Sequence, residues 1–131
     1  DKIVYAKSSI TMGNGIQWQN LESEDELQAI EQFSSDRPVL VFKHSKRCGL
    51  SHSVKQRLEE EWTASHPDIA FYHLDLLAHR SVSNHVEERW DIPHQSPQAI
   101  LIYDQNVIYH GSHQAITADR IRKKLSVKAK K

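Results

Sequence analysis

Cys48 is the only cysteine among the 131 residues, and it stands in "VFKHSKRCGLSHSVKQRLEE", Val41 to Glu60. Apolar residues lead into a short basic turn, the cysteine follows, and an amphipathic pattern begins at Leu50. If "VLVF" is a strand and the segment from Leu50 is a helix, Cys48 sits at the mouth of that helix. Unpaired N–H groups and the positive end of the helix dipole converge there, and both favour a thiolate over a thiol. Lys46 and Arg47, immediately upstream, add positive charge. Ser51 is one turn along, where its hydroxyl could donate a hydrogen bond to the sulfur. Ser51 cannot form a disulfide, so a mixed disulfide on Cys48 would need an external thiol to release it. The competing reading is a small buried packing residue, a common place for a free cysteine.

A second group lies in "DIPHQSPQAILI", Asp91 to Ile102. Pro97 directly precedes a strand, where it supplies no N–H, and a cis bond there would fold the loop back toward the helix mouth. The Ser96 backbone could then pair with an extended substrate, as in strand addition. A trans proline at a strand edge is the alternative. His94 in the same loop and Gly49 beside the cysteine complete a candidate substrate-binding set of Gly49, His94, Ser96 and Pro97.

The nine histidines invite a metal reading, with His44, Cys48 and His52 spaced by four. His44 ends a strand rather than lying on the helix, so even spacing does not imply one shared face. No metal ligand set is assigned. His52 could instead tune Cys48 if protonated nearby.

The elements that must hold these groups follow from the pattern. "IQWQNL" alternates as a first strand, and Ser23 with Glu26 reads as a capping box opening a helix with Leu27, Ile30 and either Phe33 or Ala29 inward. "VLVF" suits a central parallel strand covered on both faces. Leu50, Val54, Leu58 and Trp62 recur every four residues on the next helix. "IAFYHLDL" forms a strand, and "SVSNHVEERW" a helix with Val82, Val86 and Trp90 on one face. "AILIY" and "VIYH", joined by Asp104-Gln105-Asn106, form an antiparallel hairpin, and Thr117 can cap a last helix with Ile121 and Leu125 inward. This order gives an α/β class, a thioredoxin-like fold with a central mixed sheet flanked by helices on both faces. Residues 15–128 are expected to form the single domain, residues 1–14 an N-terminal extension and residues 129–131 a basic tail.

Acidic and basic residues balance at 17 each, so no global charge argues for nucleic acid or an anionic membrane. No apolar run reaches the roughly 18–20 residues of a membrane span. A single cysteine excludes an internal disulfide framework and fits a reducing compartment, so a cytoplasmic location is expected.

At these residues the sequence resembles a known family. "PVLVFKHSKRCGLSHSVKQRLEE" and "DIPHQSPQAILIYDQNVIYHGSHQAIT" are similar to the YtxJ-type monothiol bacilliredoxins, thioredoxin-fold proteins linked to bacillithiol. The likeness runs from about Trp18 to Leu125, its most specific parts being "FKHS-x-x-C" and "SPQ-x-x-x-I" followed by "HGSH". The resemblance implies a thiol–disulfide oxidoreductase that removes bacillithiol from S-bacillithiolated client proteins. Cys48 would attack the mixed disulfide beside a cis Pro97. Bacillithiol or another small thiol is then the expected cosubstrate, with no bound cofactor, and a monomer or weak dimer is expected. The chain departs from the family pattern at Gly49, where many relatives carry proline. "CGLS" also resembles the monothiol glutaredoxins, which handle iron–sulfur clusters, but the glutaredoxin-like Thr-Val-Pro and the later paired glycines are missing. A redox-inert interaction module of the same fold is the third reading.

Overall fold

A computed structural model of the chain describes residues 16–63 and 68–129, with side chains to residue 126. The expected extension 1–14 and most of the basic tail lie outside the described residues. Strands β1 (Trp18–Asn20), β2 (Val39–His44), β3 (Ala70–Asp75), β4 (Gln98–Tyr103) and β5 (Asn106–Ser112) form one sheet in the order β1-β3-β2-β4-β5. β1, β3 and β2 run parallel, whereas β4 and β5 are antiparallel additions. Helices α1 (Glu24–Phe33), α2 (Gly49–Glu61), α3 (Arg80–Trp90) and α4 (Ala118–Ala129) complete the fold, with a 3-10 turn at His113–Ala115. The mixed sheet with helices on both faces agrees with the expectation from the element order.

Period-two alternation along β2 divides the interior. Leu40 and Phe42 face a cluster with Val54, Leu58, Trp62, Ile121 and Leu125, the inward stripes of α2 and α4. Val39 and Val41 face Leu27, Ile30, Val82 and Val86 of α1 and α3. All six residues of β2 are buried, as a strand covered on both faces requires. Replacing a fully buried side chain such as Phe42 with alanine costs about 3–5 kcal/mol through lost transfer energy and the cavity left behind.

The local signals act as their chemistry dictates. Ser23 and Glu26 close the reciprocal capping box at the start of α1, and Thr117 Oγ1 accepts the Arg120 N–H at the start of α4. Asp104 and Gln105 both take positive φ (54° and 64°), the conformation that lets a two-residue hairpin follow the sheet twist. Neither is glycine. Ser34 compensates by accepting both turn N–H groups, with its carbonyl from Asp104 at 2.7 Å and its hydroxyl from Gln105 at 2.9 Å.

Two expectations about α1 and α2 need correction. Phe33 and Ala29 are both exposed, and the Arg37 guanidinium lies 5.7 Å above the Phe33 ring. Leu27 and Ile30 alone bury that helix because the chain turns away at Ser34. Trp62 is buried as expected but caps α2 instead of lying within it.

Candidate functional site

β2 and β3 end together, with His44 paired to Asp75, and the chain leaves β2 through Ser45-Lys46-Arg47 into α2. Cys48 is the N-cap of α2, with extended backbone (φ −107°, ψ 114°). Its N–H donates to the Ser45 carbonyl at 3.1 Å, and its carbonyl accepts the His52 N–H at 3.3 Å, which closes the turn on both sides. Cys48 is half-buried, so it is neither sealed in the core nor displaced from the helix. The first turn of α2 carries no carboxylate, whereas α1 opens with Glu24, Asp25 and Glu26. The positive end of α2 is therefore left for the sulfur.

The flanking cations are arranged unequally. Lys46 is exposed and pairs with Asp75 at 3.3 Å, which offsets part of its charge. The Arg47 side chain is exposed and makes no ion pair among the described residues. Gly49 has open space where a Cβ would stand, so the surface directly after the cysteine is unobstructed.

Ser51 departs from its expected role. Its side chain is fully buried, and its hydroxyl meets His44 Nδ1 at 2.6 Å while accepting the Ser45 N–H at 3.2 Å. It makes no hydrogen bond to the Cys48 sulfur. The reason is positional: Ser51 faces back toward the end of β2, where a buried histidine and a loop N–H both need a partner. Burial, with lesser contributions from His73, His52 and Lys55, holds the His44 imidazole down to about 4. His44 is therefore neutral near neutral pH. His52 is likewise engaged, donating from Nε2 to the Lys46 carbonyl at 3.1 Å, and its ring stands edge-on to His44 at 4.6 Å. Both histidines brace the turn that carries Cys48.

The proline loop comes off the same end of the sheet. Gln98 pairs with Lys43, so Pro97 follows the ladder to the end of β2 from which the cysteine turn springs. The Ser96–Pro97 bond is cis. The Pro97 carbonyl accepts the His113 N–H at 3.0 Å, and the Gln98 side chain donates to the Pro93 carbonyl at 3.0 Å, which ties both ends of the loop. Ser96 lies outside the β4–β5 ladder, and its Oγ is buried without a partner among the described residues. His94 is exposed in this loop, with its N–H on Glu87 Oε2 at 3.3 Å. Cys48, Lys46, Arg47, Gly49, His94, Ser96 and Pro97 thus share one end of the sheet.

The profile of the family described as monothiol bacilliredoxin BrxC matches residues 19–121, most of the chain and all of this end of the sheet. The chain belongs to that family. Among solved structures, a protein described by its thioredoxin fold is similar at 20% identity over 82% of this chain and 93% of its own, with a TM-score of 0.73. Thioredoxin from Trypanosoma brucei brucei is similar at 16% identity over 88% and 93%, with a TM-score of 0.69. Thioredoxin from Malassezia sympodialis is similar at 14% identity over 88% and 95%, with a TM-score of 0.65. At these identities the structures show the thioredoxin fold alone. Membership of the bacilliredoxin family, together with that fold, supports a thiol oxidoreductase.

Sequence reasoning missed two participants. Lys43 is completely buried one residue before His44, and His44 itself is the partner of Ser51. The signal for Lys43 was present: a charged residue in register with Val39 and Val41 on an inward face of β2. Among the described residues no group of three or more His, Cys, Asp or Glu side chains is arranged to hold a metal ion. None of the described helices is long and apolar enough to cross a membrane.

Proposed function

We propose that this bacilliredoxin removes bacillithiol, or a similar small thiol, from mixed disulfides on client proteins in the cytoplasm. Cys48 acts as the nucleophile. Its thiolate attacks the small-thiol sulfur of the client adduct. A bond forms between Cys48 and the small thiol, the old disulfide breaks, and the client cysteine leaves as a thiolate that takes a proton from water. The client is reduced, and Cys48 now carries the mixed disulfide.

With no second cysteine in the chain, a second small thiol must attack that adduct. This returns Cys48 as a thiolate and releases the oxidised, symmetrical small-thiol disulfide. The electrons thus come from the small-thiol pool, and no bound cofactor is needed.

Each candidate residue has a role in this scheme. The α2 N-terminus, Lys46 and Arg47 place positive charge beside the attacking sulfur. Gly49 leaves access for an adduct. Ser51 fixes the cysteine turn through His44 instead of touching the sulfur. The Ser96 backbone, beside Pro97, pairs with the chain that carries the adduct. The single observation that carries the reading is the half-buried N-cap position of Cys48 at the sheet end where the proline loop also emerges.

Intact mass spectrometry tests it. Reduced protein mixed with an S-bacillithiolated client, with no free small thiol present, should gain one bacillithiol on Cys48 as the client loses one. A client that loses its adduct while Cys48 gains none would reject this route.

A further inference from the structure

Lys43 is an unusual residue to find in the interior. Its side chain is fully buried at the end of β2, and lysine is almost never buried unless paired. Among the described residues, no carboxylate stands within 4.0 Å of its ammonium. Its partners are neutral: the Ser83 carbonyl of α3 at 3.2 Å and His94 Nδ1 at 3.2 Å. Burial lowers the Lys43 ammonium to about 8, with Glu87 opposing, so the group still carries its proton near neutral pH. An ammonium can only donate, so His94 Nδ1 must accept and its proton must sit on Nε2. Burial and then Lys43 push the His94 imidazole down, which keeps that ring neutral.

The loop around His94 is fastened on three sides. Glu87 Oε2 accepts the His94 N–H, Gln98 Nε2 holds the Pro93 carbonyl, and Pro97 is tied to His113. Gln98 lies directly across the ladder from Lys43. Among the described residues the His94 Nε2 makes no hydrogen bond, and the residue is exposed, two positions before Ser96.

We propose that Lys43 is a positioning residue whose ammonium locks His94 as the Nε2–H tautomer, so that this N–H meets an acceptor oxygen on the small-thiol part of the adduct. The inference rests on the mixed-disulfide reading above and names what recognises the small thiol within it. A carboxylate or hydroxyl oxygen is the acceptor class that a neutral imidazole N–H fits. The burial of a lysine at this place is thereby explained by recognition, since packing alone would be served by an apolar side chain of similar length.

Two measurements test it. Ring nitrogen NMR of the substrate-free protein should show His94 in the neutral Nε2–H tautomer at pH 7, and a mixture of tautomers in Lys43→Met. A protonated ring, or an Nδ1–H tautomer in the wild type, would overturn the lock. In steady-state dethiolation of an S-bacillithiolated client, His94→Ala should raise KM about tenfold, the value of one hydrogen bond, and Lys43→Met about twofold, because an even mixture of tautomers leaves half of the protein competent. Both variants should keep kcat and the alkylation rate of Cys48. The double variant should be no worse than His94→Ala alone, because Lys43 acts through His94. Unchanged KM in Lys43→Met, or additive losses, would overturn the proposal with the oxidoreductase reading intact. A wild type that leaves the client adduct in place would overturn the function reading instead, and with it the recognition role of His94.

Discussion

His44 Nδ1 and Ser51 Oγ stand 2.6 Å apart, both buried, and they connect the end of β2 to the first turn of α2. The serine that follows the cysteine at a spacing of three is therefore part of the frame that holds the cysteine. Ser51→Ala removes the partner of a buried ring nitrogen and of the Ser45 N–H together. It should destabilise the fold by about 1–3 kcal/mol, the cost of leaving such groups unsatisfied. Urea denaturation at pH 7.5 measures this. A midpoint equal to wild type would show that the pair is dispensable.

The same pair makes the protein sensitive to acid. His44 has an ordinary value of 6.5 and is held down to about 4 in the folded state, chiefly by burial. Between these values the unfolded chain binds the proton and the folded one does not, so stability falls with falling pH. The loss from this residue should reach roughly 3 kcal/mol by pH 4. His73 is also pushed down, chiefly by burial, and adds in the same direction. His44→Asn keeps an acceptor near Ser51 and removes the titration. Its unfolding free energy should fall less than that of wild type between pH 7 and 4.5. Parallel pH slopes for the two proteins would contradict this assignment.

Gly49 stands where the resemblance leads one to expect proline, and a Cβ there would meet nothing within 4 Å. Cys48 has the extended backbone that a residue before proline prefers, and a side chain at position 49 meets open space. Position 49 is also the first helical position, where a missing N–H costs least. Gly49→Pro should therefore raise stability by about 0.5–1 kcal/mol through the unfolded state. A thermal melt checks it, and a lower melting temperature would mean that the turn needs the freedom of glycine.

Electrostatic activation of Cys48 should be modest and sensitive to salt. Lys46 is largely exposed and shared with Asp75, and Arg47 is exposed. Replacing both with alanine should slow alkylation of Cys48 at pH 7 about two- to fivefold at low salt. The difference should nearly vanish in about 1 M salt, where the screening length falls to roughly 3 Å. A large effect that persists in high salt would place the influence of these residues elsewhere.

The fold was readable because its signals are local and repeated. The Leu50-Val54-Leu58 stripe, the Ser23–Glu26 box and the Asp104–Gln105 hairpin each specify their element without help from distant residues. The place of Cys48 followed from the strand-to-helix junction alone. The side-chain network around it did not. Ser51 lies one turn from Cys48 along the chain, so the sulfur was its nearest expected partner. Its true partner was set by where β2 ends against α2, which is a matter of tertiary register. Lys43 was hidden for a related reason. Alternation on β2 placed it inward, but its acceptors come from α3 and from a loop about fifty residues later in the chain.

The account rests on one thiolate taking a small thiol from a client and passing it on. Release of bacillithiol from a labelled S-bacillithiolated client, followed with wild type and with Cys48→Ala under excess free bacillithiol, tests this most directly. The account predicts repeated turnover by the wild type and only the uncatalysed rate with Cys48→Ala. Release by Cys48→Ala at the wild-type rate would contradict it.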